Sequence, residues 1–109
     1  MNGGMLAGLT FKEAEERFPL PTFRNPYEPL AVTGESEAEL HCRAIRAVEH
    51  VVRRGPGAYL VVAHGGILNA ALRGILGAPP PVNMRHGFWF AFGDTAYVQL
   101  RYRPDAGSW

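Results

Sequence analysis

Tyr59-Leu60-Val61-Val62-Ala63, then His64-Gly65-Gly66, then Ile67-Leu68-Asn69-Ala70-Ala71-Leu72-Arg73-Gly74-Ile75-Leu76: this stretch decides how the chain is read. Its first five residues are apolar without alternation, the pattern of a strand buried on both faces of a parallel sheet. Two glycines follow at once, and apolar residues then recur at helical spacing. The stretch therefore reads as a strand that passes through a tight turn into a helix, with His64 at the strand's carboxyl end. Ligands of open α/β sheets collect at that end, because the following helix turns its free N–H groups and positive dipole end toward the crevice. An imidazole placed there is suited to meet an anion.

The chain has 109 residues, 47% of them hydrophobic, which suits one domain with its own core, spanning residues 1–109. The formal charge is +1, from 11 basic and 10 acidic residues. That balance excludes the electrostatic footprint of a nucleic-acid binder or of an anionic membrane surface. The 13 glycines and nine prolines mark turns rather than disorder, since no tract is of low complexity. A single cysteine, Cys42, rules out an internal disulfide and suits a reducing compartment. No apolar run reaches about 18 residues and no signal-peptide pattern opens the chain. A cytoplasmic location is the expectation.

Upstream, Thr10-Phe11-Lys12-Glu13 fits a capping box and predicts a short helix to about Arg17, stopped before Pro19. Prolines at 19, 21, 26 and 29 make the segment from Pro19 to Thr33 an extended loop, either a substrate-facing lid or a plain connector. Ser36-Glu37-Ala38-Glu39 is a second capping box, and Leu40, Ala44, Ala47, Val48, Val51 and Val52 follow at helical spacing. The longest helix should run from Glu37 to Arg54, ended by Gly55-Pro56-Gly57. Downstream, Phe88 to Phe92 and Thr95 to Tyr102 read as strands joined by a hairpin turn at Gly93-Asp94. The tail from Pro104 reads as loose.

Among residues that could carry chemistry, His64 leads. A histidine ending a buried strand also serves as a hydrogen-bonded structural residue; Gly65 and Gly66 favour a ligand, because they clear side chains from the place where backbone would approach it. His41 and His50 lie between charged residues on the long helix and read as solvated or capping groups. Cys42 reads as a small core residue, with no histidine base at a suggestive spacing. Glu35 is either a carboxylate near a substrate hydroxyl or a helix-start acid. The four histidines and one cysteine lack zinc-type spacing, so no metal and no other cofactor is expected.

Three motifs in order resemble the histidine phosphatase superfamily, which includes the cofactor-dependent phosphoglycerate mutases. Val61-Val62-Ala63-His64-Gly65-Gly66 followed by Leu72-Arg73-Gly74-Ile75-Leu76-Gly77 resembles that family's second-histidine motif. Gly34-Glu35-Ser36, leading into a helix with Arg43, resembles its Gly-Glu-Ser motif. Gly4-Met5-Leu6-Ala7-Gly8-Leu9-Thr10, ahead of Phe18-Pro19, resembles its Gly-x-x-x-Gly-Leu-Thr segment. The resemblance implies that His64 is catalytic and that Gly65, Gly66, Glu35 and Ser36 bind substrate. The family's nucleophile is the histidine of an Arg-His-Gly motif after the domain's first strand, and it takes up the phosphoryl group as a phosphohistidine. Arg85-His86-Gly87 spells that motif but precedes a predicted strand instead of following one, so coincidence is the preferred account.

By the family's spacing, the nucleophile, a second arginine and a glutamate acid precede Gly4, and Met1 looks like an internal methionine of a longer protein. The resemblance implies an α/β architecture: a truncated phosphoglycerate mutase-like three-layer fold, with a small mostly parallel sheet flanked by helices and a C-terminal hairpin. In the family the first strand lies beside the His64 strand. Its lack would expose an apolar edge, so a homodimer or another partner is expected, by strand pairing or exchange. The function expected is that of the C-terminal part of a phosphatase or mutase, inactive alone, acting on a phosphorylated small molecule. The alternative is a non-catalytic module that binds a phosphate ligand or serves oligomeric interaction.

Overall fold

The computed structural model describes residues 2–82 and 87–109. Three α-helices form among them: α1 (Phe11–Arg17), α2 (Glu37–Val52) and α3 (Gly65–Leu76). Two of them start as their sequences require. The Thr10 hydroxyl accepts the Glu13 N–H at 3.3 Å while the Glu13 carboxylate accepts the Thr10 N–H at 2.9 Å. Ser36 and Glu39 do the same for α2, at 3.2 and 2.8 Å. Each box satisfies backbone donors that helix geometry leaves over. At α2 a further donor, the Ala38 N–H, is accepted by the Pro26 carbonyl at 2.9 Å, which stitches the proline-rich loop to the helix.

α2 and α3 pack on one another, and the core lies between them: Leu40 and Ala44 meet Ala70, with Ile67 and Ala71 against them. Small residues permit the approach. A methyl group at Gly74 would stand 2.5 Å from Ile45 Cγ1. α3 stops at Gly77, whose φ of 71° is left-handed and whose N–H caps the Arg73 and Gly74 carbonyls. At the other end of the chain Gly4, with φ 54°, abuts the backbone of Thr33 and Gly34 where no side chain would fit. The Asn2 carbonyl there accepts the Glu35 N–H at 2.9 Å.

The expected α/β fold, with its parallel sheet and C-terminal hairpin, is not the fold observed. Among the described residues there is no β-strand and no sheet. Tyr59 to Ala63 is not helical, but its side chains face solvent, with Leu60 90% and Val62 85% exposed. The physical reason lies in what makes a strand. Apolar and β-branched residues favour extended backbone, yet a strand exists only when a neighbour exchanges N–H and C=O bonds with it. No such exchange occurs here among the described residues. Phe88 to Phe92 and Thr95 to Tyr102 behave alike. The turn between them forms one residue later than expected, centred on Asp94 and Thr95, with the Ala96 N–H bonding the Gly93 carbonyl at 3.2 Å. It closes no ladder.

The tail is more ordered than its composition suggests. A 3₁₀ turn at Pro104–Ala106 lets Arg103 and Ser108 exchange two backbone bonds, of 2.7 and 3.2 Å. The rings of Tyr102 and Trp109 then meet at 5.0 Å. The radius of gyration is 15.8 Å, against about 13 Å for a compact chain of this length. The excess reflects the apolar segments that remain uncovered.

Candidate functional site

His64 is the N-cap of α3, with extended backbone (φ −85°, ψ 154°) and no capping bond from its side chain. Its carbonyl accepts the Leu68 N–H at 3.1 Å, closing the first turn. Gly65 and Gly66 are the first two helical residues, so their N–H groups have no intrahelical acceptor. All three residues are exposed, and a Cβ built on either glycine would meet nothing within 4 Å. An imidazole, two amides without an acceptor among the described residues and the positive end of a twelve-residue helix therefore share one open turn. Free N–H groups at a helix start are suited to receive an anion, and a neighbouring imidazole can add a hydrogen bond to it.

Behind the turn lies a polar pair within an otherwise apolar helix face. Asn69 is 1% exposed; its Nδ2 donates to the carbonyls of Gly65 and Phe90, both at 3.0 Å, and its Oδ1 accepts the Phe90 N–H at 2.7 Å. Arg73, one turn on and also 1% exposed, donates from Nη1 to the Phe88 carbonyl at 3.5 Å and stands over the Trp89 ring, 5.4 Å from its centroid. Burial pushes the guanidinium below its ordinary range, with Glu37 opposing. The two residues pin Phe88 to Phe90 across α3, and the rings of Phe88 and Phe90 meet edge-to-face at 4.8 Å.

The other candidate residues stand at the start of α2, engaged in bonds of their own. Glu35 accepts two bonds from Arg43, at 2.7 and 2.8 Å, which hold its carboxyl below the usual carboxylate range. It also accepts the Asn2 N–H at 3.2 Å. Ser36 is buried as the N-cap of α2. Cys42 and His50 are exposed. Arg85 and His86, two members of the Arg-His-Gly triplet, lie outside the described residues.

Sequence reading missed the polar interior of the helix pair. His41, read as a solvated or capping group, is half-buried; its Nδ1 is enclosed and has no hydrogen-bond partner among the described residues. Burial first, and then the Arg73 charge, push its pKa down. Glu37 is buried, and burial raises its carboxyl against the pull of Arg73 and Arg24. One signal was available: Asn69 and Arg73 interrupt an apolar face four residues apart.

A groove of about 390 Å³ runs between the carboxyl halves of α2 and α3, walled by Ile45, Val52, Ile75, Tyr102 and Trp109. It belongs to the helix ends away from His64. Among the described residues no group of three or more His, Cys, Asp or Glu side chains could hold a metal ion. No helix among them is long and apolar enough to cross a membrane. Compared with known families, residues 1–109 match the model of the histidine phosphatase superfamily (branch 1). Neither the curated proteins nor the solved structures gave a match.

Proposed function

The chain belongs to the histidine phosphatase superfamily (branch 1), and from that membership we propose that the His64-Gly65-Gly66 turn holds the phosphoryl group of a phosphorylated small molecule. The observation that carries this reading is the open first turn of α3, with the His64 imidazole beside two amides that have no acceptor among the described residues and clear space above both glycines. A phosphoryl oxygen there receives N–H bonds and the helix-end field, while the imidazole supplies a directed proton contact. The activity proposed is the C-terminal share of a phosphomonoester hydrolysis or phosphoryl transfer that passes through a phosphohistidine on another histidine. Without that nucleophile, covalent catalysis loses roughly 10³-fold or more of its rate. The 109 residues alone should therefore bind phosphate and turn over almost nothing.

The test pairs two measurements on the pure chain. Inorganic phosphate should raise the melting temperature saturably, by the stabilisation that any ligand of the folded state confers, and His64→Ala should remove the rise. Turnover of p-nitrophenyl phosphate should stay near background. Turnover that His64→Ala abolishes would show the chain catalytic by itself, and a melting temperature indifferent to phosphate would end the phosphate reading.

The exposure of Leu60 and Val62 favours a second reading beside it, an oligomeric interaction module. We propose a second copy of the chain as the partner, since a formal charge of +1 sets little repulsion between copies. Light scattering at micromolar concentration should report a dimer, and a clean monomer counts against it. A cytoplasmic setting is part of the same proposal, resting on the single cysteine.

A further inference from the structure

We infer that Asn69 is a positioning residue for the His64 turn: one buried carboxamide ties the Gly65 carbonyl to the backbone of Phe90 and so holds open a turn that has no cap. The phosphate reading above is needed only for the second half of the test. The start of α3 is intrinsically weak, because two successive glycines occupy its first helical positions and its N-cap side chain makes no capping bond. A capping serine or aspartate would strengthen it, but only by accepting from the amides that an anion would use. Asn69 works from the other side. It engages the first turn through a carbonyl, and the N–H groups of Gly65 and Gly66 have no acceptor among the described residues.

The bonding pattern fixes which amide atom does what. The Phe90 N–H can only donate, so the atom facing it at 2.7 Å is Oδ1. Nδ2 is then turned to both the Gly65 and Phe90 carbonyls, at 3.0 Å each. Phe90 thereby has its N–H and C=O satisfied by one side chain, as a neighbouring strand would satisfy them. The Phe90 backbone is in turn steadied by Arg73, which bonds the Phe88 carbonyl and covers Trp89. The tether therefore has a fixed far end, and the first turn of α3 and the Phe88 to Phe90 segment should move as one unit.

Amide hydrogen exchange and a phosphate titration test this on the full chain. In Asn69→Ala, exchange at Leu68, the first hydrogen-bonded amide of α3, and at Ala70 should rise about tenfold together with exchange at Phe90, the size set by the loss of one or two hydrogen bonds. Asn69→Asp gives a readout that lost packing would not move. Its carboxylate can only accept, so at pH 7 it faces two carbonyls without a proton to give; at pH 4 the protonated carboxyl regains one donated bond. Protection at Leu68 should recover with falling pH in Asn69→Asp and not in Asn69→Ala, and the phosphate midpoint at pH 7 should weaken about tenfold in both. If Phe90 exchange rises while Leu68 is unchanged, Asn69 serves the aromatic segment alone and the inference is overturned. If the wild-type chain ignores phosphate, the phosphate reading fails and the exchange results decide the tether by themselves.

Discussion

The α2–α3 pair and the segments that flank it, Tyr59 to Ala63 and Phe88 to Tyr102, are built from similarly apolar sequence and end in opposite states. The pair is closed: α2 starts in a capping box, α3 ends at Gly77, and Leu40, Ala44 and Ala70 are buried between the two helices. The flanking segments are open, with Leu60, Val62 and Tyr97 largely exposed and no ladder among the described residues. A helix satisfies its backbone within itself, so local signals suffice to make it. Strand-forming residues depend on a partner elsewhere in space, and apolar composition does not supply one. His64 sits on the boundary, at the last residue of an open segment and the cap of a closed helix.

The largest expected effect bears directly on that contrast. Leu40→Ala should cost about 2–4 kcal/mol, because it empties a buried site in the helix pair. Leu60→Ala, in an exposed position, should stay within about 0.5 kcal/mol. Chemical denaturation of both variants measures the difference, and equal costs would mean that the Tyr59 to Ala63 segment is covered in solution. A smaller effect sharpens the closed side. Gly74→Ala puts a methyl group against Ile45 Cγ1 and should destabilise by about 1–3 kcal/mol through overpacking. Ile45→Ala should relieve part of that cost in the double variant, and simple additivity would show that the helices do not approach as closely as described.

The smallest effect is a pH dependence from the pair's polar interior. Burial and Arg73 depress the His41 pKa below its ordinary 6.5, so the unfolded chain takes the proton first. The stability due to neutral His41 is complete above pH 6.5 and is lost as the pH falls below that toward the depressed folded value. Glu37, raised by burial, runs the other way: its contribution is full below its ordinary 4.5 and is lost as the pH rises through the raised value. Melting curves between pH 8 and 5.5 should thus fall less steeply for His41→Gln than for wild type. Parallel curves would place His41 in water.

How much was legible follows from the same contrast. The boxes at Thr10 and Ser36 and the three helices were readable because each is decided within a few residues. The sheet was misread because Tyr59 to Ala63 carries the composition of a strand and no information on whether a neighbour exists. The folded tail was missed because Tyr102 and Trp109 meet across a 3₁₀ turn that composition does not announce. At the candidate site, the order His64-Gly65-Gly66 and the helix after it were legible. The buried bonds of Asn69 were not, since their other end lies 21 residues away at Phe90.

The most direct test of the account is a phosphate titration followed residue by residue, by amide and imidazole NMR at constant ionic strength. The account predicts saturable shifts at the Gly65 and Gly66 amides and the His64 ring, with the α2 amides unmoved and the response gone in His64→Ala. Shifts absent from that turn, or spread evenly over the chain and reproduced by chloride, would contradict it.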